Sequence, residues 1–191
     1  MHSRIATNLS TYNNRWYNPG GGSMKRLLWY FVNVLFFINP LNPISGIKVL
    51  LLKWFGAKIG KGVVVKPGVN IKYPWNLEVG DYSWIGERVW IDNLDRVVIG
   101  AHCCLSQGTL LLNGNHHYGK ATFDLMVKPI VLCDGVWLGA QSVVVGGVVC
   151  GSHSVLGVMS VASHNMDAYF IYRGNPAVKI KERPLGSSAG I

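Results

Sequence analysis

The chain of 191 residues is 49% hydrophobic and 14% charged, which is ample material for the core of one domain with appendages. Its formal net charge of +9 comes from one part of the chain, because residues 1–77 contain ten basic residues and no acidic one. Such a region favours anionic partners. The four cysteines have no CxxC spacing and follow no secretory signal, which argues against a disulfide framework or a zinc site and predicts a cytoplasmic protein.

The N-terminal region, residues 1–58, is predicted as an extension to the main fold. Residues 1–24 are polar and glycine-rich at their end, which indicates an irregular arm. Two apolar segments follow, residues 27–38 and 47–55, and both are shorter than the roughly 20 residues of a membrane span. We therefore expect two short helices. Two interpretations remain open: the helices only cap the β-structure and pack on a neighbouring subunit, or residues 25–55 also contact the inner face of a membrane.

A branched or apolar residue recurs every six residues from residue 59 to residue 162, with one interruption. Seven of these fifteen positions precede a glycine, which suits a tight corner. A period of six fits neither a helix nor a two-sided strand, but it is typical of a parallel β-helix. Two extra residues follow each of the first two sets of three repeats, so we predict three sides per coil. The inward positions are Ile59, Val65, Ile71, Val79, Ile85, Ile91, Ile99, Leu105, Leu111, Leu132, Leu138, Val144, Cys150, Leu156 and Ala162.

The predicted fold is therefore all-β, with a triangular β-helix over residues 59–165. Residues 113–129, NGNHHYGKATFDLMVKP, break the period and are predicted to protrude as a loop from a corner. Residues 166–191 form a C-terminal tail. Within the tail, Gly174-Asn175-Pro176 indicates a turn, and AVKIKER at 177–183 is predicted to form a short tail helix with basic residues.

Several segments together resemble the hexapeptide-repeat O-acetyltransferases: NHHY, FDLMVKPI, DGVWLGAQSVVVGGVVCGSHSVLGVMSV and GNPAVKIKER. The similarity is greatest to the branch found in colanic-acid and other exopolysaccharide gene clusters, which is related to galactoside and maltose O-acetyltransferases. This resemblance implies a left-handed parallel β-helix, a homotrimer with active sites between subunits, and acetyl transfer from acetyl-CoA to a hydroxyl of a sugar or lipid-linked glycan. It implies no metal, and no nucleic-acid-binding module accompanies the basic region.

The resemblance also assigns residues to roles. His116 matches the family's general base, which a sugar hydroxyl needs because it is a weak nucleophile at neutral pH. One ring nitrogen would accept the hydroxyl proton while a backbone carbonyl or a carboxylate holds the other. Asp92 and Asn93 match positions near the acceptor. His117, where the family often has a different residue, is given at most a supporting or substrate-contact role. The positions matched to acetyl-CoA binding are Trp137, Gly139, Ala140, Gly157, Val158, Ser160, Lys179, Lys181 and Arg183.

Within the coenzyme set, the N–H of Ala140 matches the donor to the oxyanion, and the three basic tail residues match the phosphate contacts. Ordinary structural roles compete for most of these positions, such as a repeat corner for Gly139 and a turn for the Asp92-Asn93 pair. Residues 160–165, SVASHN, depart from the SVVTKD of many relatives at the adenosine end of the coenzyme site.

Other functions stay open on sequence grounds. One is an acetyltransferase of the same fold that acts on an antibiotic or another small molecule. Another is a non-catalytic β-helix binding module. A β-helix carbonic anhydrase is disfavoured, because its zinc site needs two histidines about five residues apart and the sequence has no such pair.

Overall fold

The structure is a computed structural model that describes residues 6–186, so the ends of the predicted arm and tail, residues 1–5 and 187–191, lie outside the described residues. Three sheets form the sides of a triangular prism. The first face contains Lys58–Ile59, Leu77–Val79, Val97–Ile99, Ile130–Leu132 and Val149–Cys150. The second face contains Val64–Val65, Trp84–Ile85, Cys104–Leu105, Trp137–Leu138, Val155–Leu156, Phe170–Gly174 and Ala177–Glu182. The third face contains Asn70–Ile71, Trp90–Asp92, Leu110–Leu112, Val143–Val145 and Val161–Ala162.

The predicted inward residues fill the interior of this prism. All fifteen are buried, and each is in register with its counterpart one coil away, as in the pairs Ile59–Val79 and Val79–Ile99. Parallel strands that are stacked in this way bury the same side chain on every coil, so one six-residue pattern builds a continuous core. Burying each Val, Leu or Ile contributes about 1.5–3 kcal/mol. The predicted triangular parallel β-helix is therefore confirmed.

We name the corners after the faces that they join: the first corner joins the first and second faces, the second corner joins the second and third, and the third corner leads back to the first. Glycines that follow an inward residue allow close stacking of the coils. A Cβ on Gly80, for example, would lie 2.5 Å from the amide nitrogen of Ala101. The left-handed backbone of the first corner occurs two residues later, where Tyr82 and His102 both have φ of +56°. The side chains of these two residues stack on each other, with ring centroids 5.4 Å apart.

The N-terminal region covers the open edge of the first coil. It consists of the helix Ser23–Val32, a π-helical continuation Asn33–Ile38 and the helix Ser45–Trp54, preceded by the short 3-10 helix Leu9–Thr11. The indole of the buried Trp29 donates a hydrogen bond to the carbonyl oxygen of Ile71 (2.8 Å), and the Ser45 hydroxyl accepts one from the Val65 amide (2.8 Å). These bonds satisfy backbone groups that no further coil pairs. The two predicted helices and their capping role are confirmed.

Many apolar side chains of this cap point away from the β-helix. The largest of them that are exposed are Met24, Leu27, Leu28, Tyr30, Phe31, Leu35, Leu41, Ile44, Leu50 and Trp54. We call this set the apolar cap surface. Within residues 6–186, no helix has the length and the continuous hydropathy that crossing a membrane requires.

The C-terminal tail differs from its prediction. Residues Ala177–Glu182 form a strand, not a helix, which pairs antiparallel with Phe170–Gly174 at the edge of the second face. Asn175 and Pro176 form the predicted turn between these strands. The strand is favoured because the last coil offers unpaired backbone groups, and because the alternating Val178 and Ile180 suit a strand better than a helix. The helical prediction for 177–183 was wrong, since it weighed local signals without this edge.

Candidate active site

The interruption of the repeat forms a β-hairpin at the third corner. Its strands are Gly114–His116 and Leu125–Val127, and His116 is in register with Leu125. At the base of the hairpin, the buried Asn113 side chain donates a hydrogen bond to the Lys128 carbonyl oxygen (2.7 Å). The hairpin is thus tied to the rigid coil, which limits the positions that the His116 side chain can take.

The His116 imidazole is held by one residue of the hairpin turn. Its Nδ1 lies 2.9 Å from the Phe123 carbonyl oxygen, and the two rings stack with centroids 4.3 Å apart and an angle of 9°. A carbonyl oxygen only accepts hydrogen bonds, so Nδ1 carries the proton when this bond is formed. The lone pair of Nε2 is then available to accept a proton. This arrangement is the one that a general base requires.

The N-terminal arm lies against the same hairpin. The amide of Asn8 donates a hydrogen bond to the Ala121 carbonyl oxygen (2.8 Å), and the Tyr12 ring lies 5.7 Å from the His116 ring. Further along the arm, the Tyr17 hydroxyl donates to the Leu94 carbonyl oxygen (2.6 Å). Burial is the first cause that raises the pKa of this phenol, so it stays protonated and keeps this donor. The arm is therefore ordered along the third corner.

Asp92 and Asn93 lie at the third corner as well, next to the base of the hairpin. The buried Asp92 carboxylate pairs with the Lys72 ammonium (2.9 Å). The Asn93 side chain is fully buried and binds both the amide and the carbonyl of Tyr73. Because both of its polar atoms are used within the coil, Asn93 shapes this corner, and only Asp92 keeps an oxygen for another partner.

Five of the residues matched to coenzyme binding form a second group, at the second corner. Gly139-Ala140 and Gly157-Val158 occupy equivalent places on consecutive coils. The amide N–H groups of Ala140 and Val158 have no acceptor among the described residues. At the first corner, by contrast, the equivalent amides of Lys61 and Ala101 are bound by aspartate side chains. The second corner therefore presents unpaired donors that suit an amide-rich arm or a developing oxyanion.

Trp137 and Ser160, two other residues matched to coenzyme binding, make side-chain hydrogen bonds within the β-helix. The Trp137 ring is exposed on the second face, and its indole N–H donates to the Ser106 hydroxyl (3.0 Å). The buried Ser160 hydroxyl accepts a hydrogen bond from the Gly174 amide (2.9 Å), so its side chain holds the last coil together.

The basic tail residues are not equally available to bind phosphates. Lys179 pairs with the Asp167 carboxylate, a contact that raises the pKa of the lysine and lowers that of the aspartate. Arg183 donates hydrogen bonds to the carbonyl oxygens of Gly135 and His153, at 3.0 and 3.1 Å. Lys181 is exposed, and no carboxylate within residues 6–186 pairs with it.

The structure brings most of the predicted residues together in two places, not in one. His116, His117, Asp92 and Asn93 lie at or beyond the third corner, whereas Gly139, Ala140, Gly157, Val158 and Ser160 lie at the second corner, with the third face between them. Trp137 and the basic tail residues lie apart from both groups, on the second face, and Arg183 is bonded to carbonyl oxygens of the first corner. Sequence reasoning missed the contacts of Phe123 and Tyr12 with the imidazole. The FD pair inside the family-like segment was the only signal for Phe123, and the polar arm carried none for Tyr12.

Metal ligation and thiolate chemistry are two further possibilities for the described part of the chain. Residues 6–186 contain no cluster of three or more His, Cys, Asp or Glu side chains that could hold a metal ion. Burial raises the pKa of the Cys103 thiol to about 11 and that of the Cys150 thiol to about 12, so neither supplies a thiolate near neutral pH.

Comparison with known proteins places this chain in a known class. No family model matches the chain. The putative colanic acid biosynthesis acetyltransferase WcaF of Escherichia coli strain K12 is 39% identical over 164 residues, which cover 86% of this chain and 90% of that protein. The galactoside O-acetyltransferase of the same strain is 27% identical over 135 residues, covering 69% of this chain and 66% of that protein. A hexapeptide-repeat acetyltransferase of Vibrio cholerae, solved with acetyl-CoA, has a TM-score of 0.76 at 21% identity and covers 84% of this chain and 88% of its own.

The β-helix with its six-residue repeat and its protruding hairpin is thus the fold of the hexapeptide-repeat acetyltransferases. Because the 39% identity extends over most of both chains, this chain belongs to the colanic acid biosynthesis branch of that family. The predicted family, fold and enzyme class are confirmed.

Proposed function

We propose that the protein transfers an acetyl group from acetyl-CoA to a sugar hydroxyl in the synthesis of an exopolysaccharide or surface glycan, with His116 as the general base. The observation that carries this proposal is the hydrogen bond between His116 Nδ1 and the Phe123 carbonyl oxygen, because it leaves Nε2 free to accept a proton. The colanic-acid relative and the acetyl-CoA complex of the Vibrio cholerae protein support the donor and the pathway class.

In this mechanism, Nε2 of His116 removes the proton of the acceptor hydroxyl as its oxygen bonds to the acyl carbon of the thioester. The Ala140 amide donates a hydrogen bond to the oxygen that becomes negatively charged. When the carbon–sulfur bond breaks, the protonated imidazole returns its proton to the departing sulfur, so the base is regenerated. In this proposal the Val158 N–H, Gly157 and the exposed Trp137 ring contact the pantetheine arm, and Lys181 is the tail cation available to the phosphates of the coenzyme.

The two-place arrangement supports a homotrimer with each active site between subunits, in which the second corner of one subunit faces the hairpin of the next. Trp84 and Trp90 are exposed on the second and third faces, and such flat apolar surfaces favour burial against another copy. A complementation experiment tests this arrangement. The His116→Ala variant lacks the base, and the Val158→Trp variant carries a bulky side chain at the second corner, so each should be inactive alone. Trimers refolded from a mixture of the two should regain activity, because a site can then combine an unmodified second corner with an unmodified hairpin. Absence of recovery in verified mixed trimers would refute shared sites.

We also propose that the acceptor is a lipid-linked glycan and that the apolar cap surface contacts the inner membrane face. The cap exposes Tyr30, Phe31 and Trp54 next to basic residues, and no acidic residue precedes Glu78. The full-length protein should sediment with phosphatidylglycerol vesicles and less with phosphatidylcholine vesicles. Trp54→Ser with Phe31→Ser should weaken sedimentation, whereas Tyr118→Ser, a matched change on the hairpin, should not. Equal sedimentation of all variants would refute the contact.

A thiol-release assay with acetyl-CoA tests the enzymatic activity. Sugars, lipid-linked glycans and antibiotics such as chloramphenicol serve as acceptors, and growth protection by the expressed gene checks the antibiotic alternative. We expect turnover with a sugar-containing acceptor and a fall of roughly 10²- to 10⁴-fold in kcat for His116→Ala, the usual contribution of general base catalysis. Turnover that persists in His116→Ala would refute the base. A binding module would show no turnover with any acceptor.

A further inference from the structure

The N-terminal arm and the hairpin enclose a groove next to His116. The groove has a volume of about 410 Å³, and its polar and aromatic lining consists of Asn13, Arg15, Trp16, His117, Lys120 and Asp124. Leu125, the cross-strand partner of His116, lines it as well. The groove therefore lies next to the residue that we propose as the base, and three of its eight lining residues come from the arm.

The charges in this groove leave one cation without a partner. The Lys120 ammonium pairs with the Asp124 carboxylate at 2.8 Å, and this pair holds the pKa of the aspartate below its ordinary value. The guanidinium of Arg15 is exposed, and within residues 6–186 no carboxylate forms a salt bridge with it. A guanidinium fork matches the geometry of a carboxylate or a phosphate.

The neighbouring aromatic residue offers a surface for a sugar. The Trp16 side chain is 60% exposed in the groove, although a tryptophan usually buries much of its surface. Its ring packs edge-on against Tyr17, which in turn is anchored to Leu94, so the indole is supported from one side. A supported aromatic face provides apolar area for the C–H face of a pyranose ring at a low cost in side-chain entropy.

We propose that this groove binds the acceptor and selects a glycan that carries an anionic group: Trp16 packs on a sugar ring while Arg15 binds a carboxylate or phosphate attached to it. This inference deepens the function proposed above and rests on it. The two sources of the anion are a uronic acid within the glycan and the diphosphate of a lipid carrier. In either case the charge anchors the acceptor at one end of the groove and directs a hydroxyl of the adjoining sugar toward His116.

Binding by the full-length protein without acetyl-CoA tests the groove independently of turnover. Isothermal titration calorimetry would measure the affinity for four probes: p-nitrophenyl β-glucuronide, p-nitrophenyl β-glucoside, galactose linked to a short prenyl diphosphate, and coenzyme A. We expect at least one anionic sugar to bind about tenfold more tightly than the neutral glucoside, the usual effect of a charged hydrogen bond. The glucuronide and the prenyl diphosphate probes then distinguish the two sources of the anion.

Matched variants assign the effect to these residues. Arg15→Gln should remove the preference for the anionic sugar, whereas Lys61→Gln, which removes an exposed positive charge at the first corner, should preserve it. Trp16→Ala should weaken the binding of charged and neutral sugars alike, and Trp16→Phe should restore part of it. Equal affinity for charged and neutral sugars, no measurable binding of any sugar, or an effect of Arg15→Gln on coenzyme A alone would overturn the proposal.

The proposed function is tested by turnover, whereas the groove proposal is tested by sugar binding, so the two can fail separately. If His116→Gln retains turnover, the base is wrong whatever the titrations give. If His116→Gln abolishes turnover while Arg15→Gln leaves the sugar preference and the KM of the acceptor unchanged, the chemistry stands and the groove proposal is wrong.

Discussion

Replacing Phe123 tests whether the hairpin turn holds the His116 imidazole in one orientation. Phe123 has a φ of +51°, a left-handed backbone conformation that costs a residue other than glycine roughly 1–2 kcal/mol. Its ring stacks on the imidazole at 4.3 Å, an interaction of about 0.5–1.5 kcal/mol. The backbone strain and the stacking energy are therefore of similar size and opposite sign, and two variants separate them.

In Phe123→Gly, the strain and the stacking are both lost, so the free energy of unfolding should change by less than about 1 kcal/mol. Phe123→Ala loses the stacking but keeps the strain, so it should be less stable than Phe123→Gly by about 1 kcal/mol. Both variants free the imidazole to leave its position over the turn. If the stacking energy sets the population of the productive orientation, kcat should fall roughly two- to twelvefold in each variant.

The assays are thiol release under saturating acetyl-CoA and urea-induced unfolding monitored by fluorescence. The KM for acetyl-CoA should not change, because the contacts of Phe123 are with the His116 imidazole and not with a residue matched to coenzyme binding. Phe123→Tyr, which keeps the ring, should retain the kcat of the unmodified protein. A kcat of Phe123→Gly equal to that of the unmodified protein would refute the positioning role, and so would a loss as large as that of His116→Ala.

Three further predictions concern the scaffold. A hydrogen bond from Arg96 is the main cause that lowers the pKa of Glu78. Glu78→Gln should therefore lower the unfolding free energy by less than about 1 kcal/mol at pH 7. This difference between the two proteins should vanish as the pH falls below 4.5, the ordinary pKa of the carboxyl group, because Glu78 then becomes protonated. Burial raises the pKa values of Cys103 and Cys150 to about 11 and about 12, so both should react with Ellman's reagent at pH 8 much more slowly than after unfolding; equal rates would contradict their burial. Gly135 has a φ of +71°, and a Cβ there would overlap the ring of His153 on the next coil. Gly135→Ala should therefore lower the unfolding free energy, measured with urea, by about 1–3 kcal/mol. Gly46→Ala is the control and should not destabilise the protein, because no atom lies near the added Cβ.

The predicted site residues show how far local patterns extend. The break in the six-residue period located the protruding segment, and the choice of His116 within it also needed the family resemblance. The proton position on His116 depends instead on the Phe123 carbonyl, which the turn folds back onto the ring. Asn93 illustrates the opposite outcome. The family resemblance suggested a ligand contact for it, yet the preceding coil uses both of its polar side-chain atoms, as the competing turn interpretation expected. Such partners are set by folded geometry, which spacing along the chain does not encode.

By itself, the sequence determined the triangular β-helix, its inward residues and the capping helices. Each six-residue repeat contains its own core residue and its own corner. Only one register of the coils buries the core residues of all the repeats together, so the repeated pattern specifies the fold. Only the tertiary structure decided where residues 8–17 of the arm and residues 177–182 of the tail lie. The segment 177–182 became a strand because the last coil left an edge to pair, and the arm came to lie beside His116 through bonds such as Asn8 to Ala121. These contacts join residues far apart in the sequence, where no period relates one partner to the other.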